Sequence, residues 1–141
     1  MNLDDIRKTL EEHFKSNWVT PKVIWTAAPS DVPNDYWVRF NVIMLDSFNH
    51  TFGDNGVKKT GLAVLQAYAP LDKGTGELYR IADTYIAMMA NKRFGNLFLY
   101  AGSVEPIGES PTTASNAGSG QMRELTTGYY QINVSVPFDA I

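Results

Sequence analysis

The chain contains no cysteine. This excludes disulfide frameworks, thiolate nucleophiles and cysteine-based metal sites together, so stability must come from packing. Histidine is nearly as scarce, with two copies, His13 and His50. No apolar run approaches the ~20 residues needed to span a bilayer. The Met-Asn-Leu-Asp-Asp start lacks the basic n-region and apolar h-region of a secretory signal, and a cytoplasmic origin is expected. A basic excess is missing too: 12 Lys and Arg against 15 Asp and Glu give a net charge of −3. That balance argues against a dedicated nucleic-acid binder, which needs a basic face to neutralise phosphates. The adjacent pairs Lys58-Lys59 and Lys92-Arg93 read as solvated charges at element ends, the second pair in a helix's last turn, where cations complement the dipole.

What is present is a composition of 44% hydrophobic and 19% charged residues over 141 positions, that of a soluble globular protein. The length fits one domain spanning 1–141, and there is neither an internal repeat nor a second boundary. The most continuous pattern lies near the end, in Gly128 to Phe138. There Tyr130, Ile132, Val134, Val136 and Phe138 alternate with Tyr129, Gln131, Asn133 and Ser135, which predicts a half-buried strand. Burying five such side chains contributes roughly 1.5–3 kcal/mol each, so this strand is expected to be a pillar of the core. Its opposite face is polar yet uncharged, suited either to solvent or to another subunit.

Upstream, Leu3, Ile6, Leu10 and Phe14 fall on one stripe, with Asp4 and Asp5 in the first turn and Asn2 as cap, which predicts an amphipathic helix of about three turns. Asn17 to Pro33 carries three prolines around Val23-Ile24-Trp25 and reads as an extended connection with one short strand. Tyr36 to Leu45 is a long strand with both faces largely apolar, as in a central strand or one covered by a partner. Asp46 to Gly56 is a polar connection. Lys58 to Ala69 is extended again, and Gly61 with the alanines at 63, 67 and 69 makes one face small enough for a helix to approach closely. Leu78, Ile81, Ala82, Tyr85, Met88 and Met89 predict a second helix running to about Arg93. Leu97 to Val104 is a further strand.

The expected fold is therefore α+β, with two helices packed on a mainly antiparallel sheet of four to five strands. The expected core is Leu3, Ile6, Leu10, Phe14, Val38, Phe40, Val42, Leu62, Val64, Leu78, Ile81, Tyr85, Met89, Leu97, Leu99, Ile132, Val134 and Val136.

The catalytic inventory is thin. His13 lies at the flank of the first helix's apolar stripe, where snorkelling at the core's edge is expected. His50 shares a loop with Asp46 and Asp54, a set that could converge on a metal but matches no EF-hand spacing. Gly74-Thr-Gly-Glu before a helix lacks the Gly-Lys-Ser/Thr ending of a P-loop, and Thr75 as a cap followed by Glu77 explains it. Asp83 reads as part of a solvated helix face. No serine sits in a nucleophile elbow and no carboxylate pair has a hydrolase spacing. The expectation is a protein that is not an enzyme and takes no metal or cofactor. Glu105 to Glu124 has no apolar periodicity over its central stretch, and a loop longer than about 12–15 residues inside a compact domain suggests an interaction loop that orders on assembly.

Four motifs in order then matter: the Trp37-Val-Arg-Phe strand; the Gly61-Leu-Ala-Val-Leu-Gln strand leading to Pro70; the Gly74-x-Gly turn before the Ala82-Asp83 helix; and the terminal Tyr130-Gln-Ile-Asn-Val-Ser-Val-Pro-Phe. Together they resemble the tail terminator (tail completion) family of long-tailed, lambda-like phages, over nearly the whole chain. The resemblance implies a small structural protein of the virion tail. It would form a hexameric ring on the end of the tail tube, stop tube-protein polymerisation and present a surface to the head connector, with DNA passing through the ring. It implies no catalytic residues. The candidate interaction residues are Asp46, His50, Asp54, Lys58, Lys59, Glu105, Glu109, Arg123, Tyr129 and Gln131. The alternatives are a head–tail connector or neck component, and a non-viral small-ligand or metal-binding α/β module using the His50 loop.

Overall fold

The computed structural model describes residues 2–23, 25, 35–49, 57–71, 73–110 and 129–141. The first helix, α1 (Leu3–Asn17), starts at a reciprocal cap. The Asp5 amide donates to Asn2 Oδ1 at 2.8 Å and the Asn2 amide donates to Asp5 Oδ2, so two of the helix's orphan donors are satisfied. Ile6, Leu10 and Phe14 are buried, as their spacing predicts. Leu3 is not: it stands in the first turn and is 52% exposed.

Among the described residues, seven strands join the second helix. They are β1 (Lys22–Val23), β2 (Trp37–Asn49), β3 (Val57–Pro70), then α2 (Gly76–Met89), β4 (Arg93–Phe94), β5 (Leu97–Leu99), β6 (Ser103–Ser110) and β7 (Tyr129–Ala140). The order across the sheet is β1-β2-β3-β7-β5-β4, with β6 also on β7. Among the described strands only β1 and β2 pair in parallel; the other pairings are antiparallel. The expected α+β architecture holds. The long strands carry the sheet, and the additional strands are two or three residues each. Strand β7 pairs with β3 from Tyr129 to Ala140, and on its other side with β6 and then β5.

Four boundaries differ from the sequence expectation. The single strand expected over Leu97 to Val104 is two, β5 ending at Leu99 and β6 beginning at Ser103. Helix α2 ends at Met89 rather than Arg93, because Asn91 turns to φ 57° and the chain re-enters the sheet as β4. Lys92 and Arg93 therefore lie beyond the last turn, and Arg93 stacks its guanidinium 4.8 Å from the Phe98 ring centroid. The first six residues of the expected Glu105–Glu124 loop are strand β6, held on β7 by Glu105↔Asn133 and Glu109↔Tyr130 pairing; the rest of that loop lies outside the described residues. Strand β2 runs past a bulge between Met44 and Ser47 to Asn49, so Asp46 belongs to the strand rather than to a loop.

Both helices pack on one face of the sheet. That face is lined by Val38 and Phe40 of β2, Ala63, Leu65, Ala67 and Ala69 of β3, and Ile132, Val134, Val136 and Phe138 of β7. The small β3 side chains let α2 come close enough for the buried Tyr85 hydroxyl to donate to the Ala63 carbonyl at 2.8 Å. Phe14 stacks on Phe40 with centroids 4.5 Å apart, and its other neighbours are Trp18, Trp25 and Tyr85. The same register turns Leu62 and Val64 to the opposite face, outside this helix-covered core; there Val64 is buried as expected and Leu62 is half-buried. His13 does more than snorkel. Its Nε2–H donates to the Met88 carbonyl at 2.7 Å, tying α1 to the last turn of α2, where carbonyls lack intrahelical partners. The Thr75 hydroxyl makes no capping bond; its carbonyl instead accepts from the Leu78 and Tyr79 amides.

Burial pushes the Tyr85 hydroxyl pKa well above its ordinary value of 10.0. In the unfolded chain the phenol ionises near pH 10, whereas in the folded chain it stays protonated, so stability is full below pH 10 and falls above it. Tyr85→Phe should cost about 1 kcal/mol at neutral pH through the lost hydrogen bond. It should also flatten the loss of stability above about pH 10, and urea titrations of both proteins from neutral to alkaline pH check both effects. At Gly61 a Cβ would run into the Ile43 carbonyl and the Phe138 ring. Gly61→Val should accordingly lower stability by about 1–3 kcal/mol in the same titration.

Candidate interaction surface

The second face of the sheet carries no described helix. On it lie Trp37, Arg39, Asn41 and Ile43 of β2; Leu62, Val64, Gln66 and Tyr68 of β3; and Tyr129, Gln131, Asn133, Ser135 and Pro137 of β7, as alternation and register require. At one end Trp37 stacks on Tyr68 with centroids 4.0 Å apart and planes 9° from parallel, and Tyr129 meets both rings edge-on. Edge and stacked pairs of this kind add about 0.5–1.5 kcal/mol each beyond area burial. The Arg39 guanidinium stands 5.6 Å from the Trp37 ring centroid. Desolvation raises the Tyr68 and Tyr129 pKa values, opposed at Tyr68 by the Arg39 charge.

The middle of the face is an amide seam, in which Asn41 Nδ2 donates to Gln66 Oε1 and Gln131 Nε2 donates to Asn133 Oδ1 at 2.9 Å. At the far end the β2 strand exposes Ile43 and Leu45, and beyond them Asp139 gathers two donors. Lys58 Nζ lies 2.9 Å and the Tyr100 hydroxyl 2.7 Å from Asp139 Oδ2. The Asp139 carboxylate raises the Tyr100 and Lys58 pKa values by accepting hydrogen bonds from their protonated forms.

Of the ten candidate residues, the structure brings only some together. Gln131 lies in the amide seam and Lys58 in the Asp139 cluster. Tyr129 is on this face as expected, but it is buried among aromatic rings rather than solvated. Lys59 is half-buried in β3, opposite Ala140, one residue out of phase with the open face. Asp46 is exposed beside the β2 bulge, and its carbonyl accepts from Thr60 Oγ1. Glu105 and Glu109 are exposed on β6, Glu105 with the amide seam and Glu109 opposite Tyr130. His50, Asp54 and Arg123 lie outside the described residues, and with them the proposed metal loop. Among the described residues no three His, Asp or Glu side chains converge as a metal site.

Arg39, Tyr68, Tyr100 and Asp139 also belong to this surface. Alternation within one strand is enough to put Arg39 beside Trp37, but only cross-strand register shows that Trp37 and Tyr68 stack, or that Asp139 reaches Lys58 and Tyr100. A separate cleft of about 330 Å³ lies between the end of α1 and the start of α2, lined by Trp18, Tyr36, Glu77 and Arg80 among others. Its charges are already engaged, Arg80 with Glu77 at 2.9 Å and Asp35 with Lys73 at 3.3 Å. The Tyr36 amide and then Lys73 hold the Asp35 carboxyl below its ordinary range.

No family model matches the chain, and no curated protein matches it. Among solved structures it is similar to a protein whose name states no function, at 15% identity, with 100% of this chain and 96% of the other covered and a TM-score of 0.65. The likeness is one of fold.

Removing the Trp37 ring should collapse the aromatic end of the surface. Trp37→Ala is expected to cost about 3–5 kcal/mol by chemical denaturation. Asp139→Ala should cost only about 1 kcal/mol, since the Lys58 and Tyr100 partners keep access to solvent.

Proposed function

We propose that this chain is a structural assembly protein of the tail terminator kind. In this reading copies of it form a ring, a hexamer, that caps a phage tail tube, ends tube polymerisation and offers its other side to the head connector. The ring belongs to the virion tail and is assembled in the host cytoplasm.

One observation carries the reading beyond the order of motifs. Among the described residues the helices cover one face of the sheet, while the other face carries aromatic and amide side chains with Ile43 and Leu45 exposed. A face with exposed apolar side chains, a cluster of aromatic rings and an arginine, Arg39, has features of a protein contact. Ring formation needs two different patches on one subunit, because a heterologous contact closes only when distinct surfaces meet. The two ends and two margins of this face supply different chemistry for that purpose.

The test mixes purified protein with polymerising tail-tube protein and measures tube length by electron microscopy. Short tubes bearing a ring at one end are expected. Tubes of unchanged length with bare ends would sink the reading, and binding to portal rings instead of tubes would move the chain to the neck.

A further inference from the structure

Charge runs along one row of the open face from one side of the sheet to the other. Arg39 of β2 is opposite Gln66 of β3, Gln66 is opposite Asn133 of β7, and Asn133 is opposite Glu105 of β6. The cation lies on the β1–β2 side and the anion on the β6 side, with two uncharged amides between them. Arg39 Nε is buried and meets no hydrogen-bond acceptor among the described residues. Glu105 is exposed, on a strand that pairs with β7 alone among the described strands.

Within one copy these charges stand three interstrand spacings apart, roughly 14 Å, and cannot pair. Between two copies related by rotation about an axis along the strands, every cross-strand row stays at one height. Glu105 of one copy then comes to the Arg39 side of the next. We propose that copies of this chain join head to tail through these two sides, with Glu105 of one copy meeting Arg39 of its neighbour. The inference rests on the assembly reading and gives its seam a location. The exposed Ile107 lies near Glu105, and the exposed Ile43 and Leu45 lie on the strand that carries Arg39, so each side offers apolar area around its charge. Opposed charges fix register and penalise wrong partners. Pro106 and the β6 bulge before Gly108 oppose indiscriminate strand addition at this edge, so the contact is made by side chains.

Two charge reversals test the seam. Glu105→Arg and Arg39→Glu should each weaken self-association at least about tenfold in sedimentation velocity. An equimolar mixture of the two should regain the wild-type assembly, because alternating copies place Glu against Arg at every junction. A folded pair whose mixture sediments no faster than either variant alone overturns the proposal, as does a Glu105→Arg protein that assembles like the wild type. In both cases tube capping by the wild type still stands. A wild-type chain that neither self-associates nor caps tubes overturns the assembly reading as well. Arg39 packs on Trp37, so thermal melts accompany its variant; if it does not fold, the exposed Glu105→Arg variant decides alone, retained assembly counting against the seam and lost assembly for it.

Discussion

The structure depends on the two-sided pairing of β7. This strand lies along β3 for its whole described length and shares its other side between β6 and β5. With period two, one set of its side chains, Ile132, Val134, Val136 and Phe138, is committed to the helices, and the intervening set is committed to the opposite face. A one-residue slip would exchange the two sets and expose the apolar face. Register is therefore strongly specified here, and the positions of Gln131, Asn133 and Asp139 on the second face follow from the same constraint that buries the core.

The helices accept that constraint through small residues. Ala63, Ala67 and Ala69 leave room over β3, α2 settles there, and Tyr85 reaches a sheet carbonyl. His13 joins the two helices by using a carbonyl that the end of α2 leaves open. The helix-covered side is thus closed by aromatic stacking and a few well-placed hydrogen bonds. The other side is organised differently, with rings at one end, amides in the middle and an ion-pair cluster at the other. A face with such a gradient of chemistry suits contacts with different neighbours, which is what a subunit in a directional assembly requires.

Much of the fold was legible in the residues. The stripe in α1 and its Asn2 cap, the stripe in α2, the small face of β3 and the alternation of β7 all rest on interactions between near neighbours or on simple periodicity. The misjudged boundaries share a cause. Arg93 leaves the helix because Asn91 turns and β4 finds β5, and Glu105 to Ser110 become strand because β7 stands beside them. Neither partner is visible from a local window. The surface was half legible: Gln131 and Lys58 were singled out, while Arg39, Tyr68, Tyr100 and Asp139 acquire their roles only when strands distant in sequence are laid side by side.

By itself the sequence determined the two helices and the long strands β2, β3 and β7, and which side of most of them is apolar, because these properties are set by spacing along one chain. Tertiary structure alone decided where Trp37 finds Tyr68, and that Arg39 and Glu105 share a row. Those facts depend on inter-strand register, and register is chosen by the packing of the whole core rather than by any single strand.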